Sequence, residues 1–160
     1  MNLQKFAEQQ KELDNAIIQK NNLQNEYLIN KKIIALHVEF SELLNELPET
    51  FKYWSNKKNN YKKALEEYVD CVHFAVSIGN DLGTFPKDST PIMRTKIEEQ
   101  ITDVLRSLGY MIRFGDGNHF LHLFNLIEGL GLMLGFTQRD IDEAYSKKNK
   151  INHQRQTDGY

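Results

Sequence analysis

The stretch YKKALEEYVDCVHFAVSIGND, residues 61–81, decides the fold. Placed at 100° per residue, Leu65, Tyr68, Val69, Cys71, Val72, Ala75, Val76 and Ile78 cover most of its circumference. A helix that is apolar nearly all round belongs in the middle of a core. What remains is a narrow polar strip of Glu66, Glu67, Asp70, His73 and Ser77. Cys71 is the only cysteine. It excludes an internal disulfide, fits a reducing compartment and reads as a small core hydrophobe.

Outward from this helix, the chain reads as helices throughout. Residues 31–47 form the preceding one, with Ile33, Leu36, Phe40, Leu43, Leu44 and Leu47 on one arc and Glu39, Glu42 and Glu46 on the adjoining arc. Pro48 ends it, and the loop 49–60 carries the only tryptophan, Trp54, among Lys52, Lys57 and Lys58. A first helix is expected over 3–18, with Gln10 inside its apolar stripe and Asp14 one turn further on. After the loop GTFPKDSTP, further helices are expected over 92–113 and 118–134, with Gly135 as a C-cap. Thr137 and Asp140 make a capping box for a last helix ending near residue 149. The tail INHQRQTDGY has little apolar content and is expected to be flexible. No segment alternates with period two. The expectation is one all-α bundle over 1–160, with ExxE and ExxD acids on two neighbouring core helices.

Those acids carry the chemistry. Glu39 and Glu42, like Glu67 and Asp70, are three residues apart and share a helix face. Four carboxylates turned inward between two helices cannot all stay ionised without a cation. Oxygen ligands favour Mg²⁺, with Mn²⁺ able to substitute, and without paired His or Cys zinc fits poorly. Magnesium between carboxylates points to phosphate chemistry. A single ExxE is more often a solvated helix face; here the apolar surroundings and the second pair favour the metal. Arg155, with Lys148 and Asn152 near it, is a candidate for gripping a terminal phosphate, as are Lys52 and Lys57.

Composition narrows the class. A formal net charge of -2 with 26% charged residues argues against a dedicated nucleic-acid binder. The N-terminal MNLQKFAEQQKEL has no apolar signal core, and no stretch reaches transmembrane length. The expected location is the cytoplasm, the host's if the chain is phage-encoded.

The chain resembles the all-α dimeric dUTPases of phages, kinetoplastids and some bacteria, part of an all-α nucleotide pyrophosphatase superfamily with the pattern ExxE…ExxD. Glu39-Phe-Ser-Glu42 and Glu67-Tyr-Val-Asp70 reproduce that pattern. The superfamily pattern does not name a substrate, but other blocks do. These are Gln10 to Asp14, Phe51-Lys52-Tyr53-Trp54, His73-Phe74, and the ending from Asn152 to Tyr160, which is similar to the family's closing motif. Residues 83–136 match no block and form a variable middle region.

The resemblance implies that Glu39, Glu42, Glu67 and Asp70 hold magnesium, and that Glu42 also orients the attacking water as general base. It implies that Gln10 reads the uracil edge and Phe74 stacks on the base. Asp14 stands where relatives can carry Asn. His73, Lys52, Trp54, Lys148, Asn152 and Arg155 complete the substrate contacts, the last five on sugar or phosphates. The implied activity is Mg²⁺-dependent hydrolysis of dUTP, and of dUDP, to dUMP by a metal-activated water, in a homodimer. Three rivals stand beside it: a related pyrophosphatase acting on dCTP or other nucleotides, a binding role toward a repressor protein, and a plain helical interaction domain with incidental acids.

Overall fold

The computed structural model describes residues 2–159. Six helices follow one another: α1 (Leu3–Lys20), α2 (Ile29–Glu46), α3 (Tyr61–Leu82), α4 (Ile97–Phe114), α5 (Gly117–Met133) and α6 (Gln138–Asp158). A single 3-10 turn, Pro48–Thr50, follows α2, and the described residues contain no strand. Helix α3 is the centre: α2, α6, α1 and α5 all pack on it, and α2–α3 is the most extensive pairing. Its residues Ala64, Tyr68, Val69, Cys71, Val72, Ala75, Val76 and Ile78 are fully buried or nearly so, as the apolar circumference requires. Helices α4 and α5 form a hairpin that leans on α2 and α3, while α1 and α6 lie together on another side of α3.

Local chemistry sets the ends. The side chains of Asn2, Asn60 and Asp116 accept from backbone N–H groups in the first turns of α1, α3 and α5. Thr137 and Asp140 form the expected capping box on α6. Gly135 follows Leu134, the C-cap of α5, in the left-handed conformation at φ 79°.

The structure corrects the sequence expectation at two places. Helix α4 begins at Ile97, five residues later than expected, because residues 90–96 are held as a strap across α5. The Ile92 N–H donates to the Asn125 carbonyl at 2.9 Å. The buried Gln100 side chain donates to the carbonyls of Ile92 (2.8 Å) and Leu126 (2.7 Å), and accepts from the Arg94 N–H. Second, the last helix does not stop near 149 but runs on to Asp158, so the segment expected to be a flexible tail is helical. A Gln154–Asp158 pair spans its last turn, and Lys20 donates to the Gln156 carbonyl. Tyr160, the end of the closing block, lies outside the described residues. Among the described residues no single helix is long and apolar enough to cross a membrane.

The strap makes Gly129 a close-approach site. A Cβ there would sit 1.9 Å from the Ile92 carbonyl oxygen, which is itself hydrogen-bonded. Gly129→Ala should therefore destabilise the fold by about 1–3 kcal/mol, lowering the thermal midpoint by several degrees. An unchanged midpoint in calorimetry would show that the strap does not lie against α5.

Candidate functional site

Helices α2 and α3 bring three of the four acids together. One carboxylate oxygen from each of Glu39, Glu67 and Asp70 lies within 4.8 Å of the other two. Asp70 is buried, whereas Glu39 and Glu67 are half-buried. Glu42, expected to face inward with them, is solvent-exposed at the rim. It stands close enough that its charge disfavours ionisation of Glu39, Glu67 and Asp70. The α2 helix turns its fully buried stripe of Ile33, Leu36, Phe40 and Leu43 toward the core, so the next arc necessarily meets the polar strip of α3.

Burial is the largest influence on all three acids. It raises Glu39 to about 7, with the charges of Asp70, Glu42 and Glu67 adding to the effect. Glu67 and Asp70 are also raised, first by burial. Two cations of α6 offset part of this at Asp70: Lys148 reaches its Oδ2 at 2.5 Å, and the charge of Arg155 acts in the same direction. The set of oxygens and its only partly relieved repulsion fit a hard divalent cation, which would supply the missing positive charge.

Asp70 also lines a cavity of about 390 Å³ between α1, α2, α3 and α6. Gln10, Asp14, His73, Phe74, Asn152 and Arg155, six of the candidate contacts named from sequence, line it as well. Ile17, Leu28 and Ala35 give it apolar wall, and Lys31 and Lys32 stand among its lining residues. The buried Gln10 is bonded on both sides. Its Oε1 accepts from His73 Nδ1 at 2.8 Å and from the Tyr145 hydroxyl at 3.2 Å, and its Nε2 donates to Asp14 Oδ1 at 2.8 Å. Asp14 Oδ2 in turn accepts from Ser77 Oγ at 2.6 Å and Lys32 Nζ at 3.3 Å. His73 is held neutral: burial takes it down to about 3, against the pull of the Tyr145 backbone carbonyl. Its ring stacks on Tyr145, which stacks on Phe6, each at 3.8 Å between centroids.

Lys52 and Trp54 do not join this cavity within the chain. Trp54 is 67% exposed and meets Tyr53 edge-on, and Lys52 lies over the Phe51 ring. Lys57 is likewise on the exposed loop. Sequence reading missed Tyr145, Ser77 and Lys32. Ser77 was visible on the polar strip of α3, but its partner on α1 was not. Tyr145 lies in a helix too polar to announce a buried aromatic.

The raised carboxyl of Glu39 has a consequence for stability without metal. The unfolded chain releases this proton near 4.5, the folded chain near 7. Between these values the folded state binds more protons, so its stability falls as pH rises. In chelator, wild type should therefore lose thermal midpoint relative to Glu39→Gln between pH 5 and pH 8. A divalent cation taken up by the cluster would reverse that loss in wild type, because it would favour the ionised carboxylate. Parallel pH profiles for the two proteins would refute the raised carboxyl of Glu39.

A family model described as dUTPase matches residues 2–160. No curated protein shows significant similarity to the chain. With an all-α fold, the acid cluster and a match over nearly its whole length, the chain belongs to the dUTPase family, whose activity is the hydrolysis of dUTP to dUMP and pyrophosphate.

Proposed function

We propose that the cavity between α1, α2, α3 and α6 takes dUTP, and dUDP with it, and that Mg²⁺ is the divalent cation held at its acidic end. The observation that carries this reading is the double position of Asp70, which is a member of the three-acid cluster and also lines the cavity beside Gln10, His73 and Phe74. A nucleotide seated there reaches from a polar base-reading wall to a cation-binding end without leaving one continuous space.

Glu39, Glu67 and Asp70 hold the cation, and Glu42 completes the set from the rim. When bound, the cation neutralises charge developing on the phosphoryl oxygens and activates a water for attack. Glu42 orients that water and takes its proton; its exposed position leaves its carboxylate open to solvent for this purpose. Phe74 packs on the base, and Gln10 meets its edge. Asn152 and Arg155, one turn apart on α6, face the phosphates, with Lys148 one turn before them. The chain acts as a single domain, in which residues 83–136 support the bundle and stand apart from the chemistry.

A homodimer accounts for two features that a single chain leaves unexplained. Lys52 and Trp54 stand on an exposed loop outside the cavity of their own chain. Ile34 and Val38 of α2, with Leu105 and Ile112 of the adjacent α4, put large apolar side chains 38–61% exposed on one flank. A second copy covering that flank brings its loop to the nucleotide.

The substrate assay is release of pyrophosphate from each deoxynucleoside triphosphate with Mg²⁺. Fast turnover of dUTP and slow turnover of dCTP is the expected result; equal rates would remove the uracil assignment. Glu42→Gln should lower kcat by about 10²–10⁴-fold, the span for loss of a general base, while nucleotide affinity is retained. Activity near wild type in that variant would rule it out as the base. Light scattering should give twice the chain mass, and Ile34→Lys combined with Ile112→Lys should give monomer; an unshifted mass would place the interface elsewhere.

A further inference from the structure

We propose that Tyr145 is a positioning residue for base selectivity. Together with Asp14, it fixes the Gln10 side-chain amide so that the amide can offer the base only an N–H. This deepens the reading above and rests on the cavity being the base pocket.

The argument begins with the two ends of the amide. Oε1 has two lone pairs, and it meets two donors: His73 Nδ1 at 2.8 Å and the Tyr145 hydroxyl at 3.2 Å. Tyr145 shares its single proton between Gln10 Oε1 and the Phe6 carbonyl at 3.3 Å, so its hydroxyl is held on this side of the pocket. Nε2 has two hydrogens, and one goes to Asp14 Oδ1 at 2.8 Å. Asp14 is an acceptor in this contact and cannot easily turn away, because Ser77 Oγ and Lys32 Nζ both bind its other oxygen. A flipped amide would set carbonyl oxygen against carboxylate at one end and lose two donors at the other. The amide orientation is thus determined twice, from α6 and α3 on one side and from α1 on the other.

What is left is one N–H, on a side chain that lines the cavity. Uracil carries a carbonyl oxygen on C4, and cytosine carries an amino group there. A fixed donor pairs with the first and leaves two donors facing each other with the second. In a buried site that mismatch is costly and cannot be relieved by rotating the amide. The same lock sets the histidine. Gln10 Oε1 requires the proton on His73 Nδ1, and burial keeps the ring neutral. Tyr145 adds rigidity through its stacking between Phe6 and His73, which a phenyl ring would keep. Its hydroxyl can therefore be removed with little loss of packing.

The test measures kcat/KM for dUTP, dCTP and dTTP in wild type, Tyr145→Phe, Tyr145→Phe combined with Asp14→Asn, and Gln10→Ala. Tyr145→Phe should lower the dUTP:dCTP ratio by roughly tenfold, the effect of one lost hydrogen bond, through KM more than kcat. The double variant should lower it further. The dUTP:dTTP ratio should stay as in wild type, because thymine has the same C4 oxygen; general damage to the site would move both ratios. Imidazole ¹⁵N spectra, with His73 assigned by its absence in His73→Gln, give a second readout. The wild-type Nδ1–H form should give way to a mixture with Nε2–H as the amide gains freedom to flip. An unchanged dUTP:dCTP ratio and an unchanged tautomer in both Tyr145 variants would overturn the lock, provided Gln10→Ala abolishes discrimination. If Gln10→Ala itself leaves discrimination intact, the cavity is not the base pocket, and the underlying reading falls with the lock.

Discussion

The repulsion among Glu39, Glu67 and Asp70 is the constraint around which the molecule is arranged. Two helices present carboxylate oxygens within 4.8 Å of one another, in surroundings that raise Glu39 to about 7. Such an arrangement opposes folding, because each acid is harder to ionise inside the bundle than in the unfolded chain. It persists because the α2–α3 pair is otherwise so apolar. Phe40, Leu43, Tyr68, Val72 and Ala75 are all fully buried, and their burial is the dominant favourable term in holding the two helices in register. The acids occupy the edge of this contact, where water still reaches Glu39 and Glu67. Lys148 forms an ion pair with the cluster through Asp70, and the charge of Arg155 also favours the ionised Asp70.

Helix α3 separates its tasks by position along a single strip. Glu67 and Asp70 serve the acidic end, His73 the middle and Ser77 the far end, each about one turn from the next. Across from them α1 supplies Gln10 opposite His73 and Asp14 opposite Ser77. The spacing of four residues on both helices keeps the two rows in step, so a single interhelical pairing engages all four buried or part-buried groups at once and leaves His73 Nε2 without a partner among the described residues. This is how the structure tolerates a Gln inside the apolar stripe of α1: its amide is bonded at both ends, so its burial leaves no unsatisfied acceptor.

Much of this was legible in the sequence, for reasons that differ between elements. The circumference of 61–81 announced a central helix, and its polar strip announced a site, because periodicity is a local property. The acid pairs carried a cation signal because carboxylates beside an apolar stripe need compensation. The start of α4 was not legible: residues 92–96 have helical composition, but Asn125, distant from them in sequence, and the Gln100 side chain hold them as a strap. The exposure of Glu42 was not legible either. Residues 39 and 42 lie 300° apart on the helix, equivalent to 60°, and that difference is enough to place one acid in the cluster and the other at the rim.

The segment least well anticipated, α6, connects the parts of the site. Judged by composition, its second half lacks the apolar surface to order itself. What orders it is the first half. Ile141 and Tyr145 are buried, and the Tyr145 ring stacks between those of Phe6 and His73. Once those turns are docked, helix propagation is cheap, because each further residue adds a hydrogen bond without a new nucleation cost. Tyr145, Lys148, Asn152 and Arg155 follow one another at spacings of three, four and three, which is one face of one helix. That face touches Gln10 with its first residue, Asp70 with its second and lines the cavity with its last two. The Gln10 amide, the Asp70 edge of the acid cluster and one wall of the cavity are therefore contacted by the same rigid element, and the placement of that element depends on the docking of Tyr145.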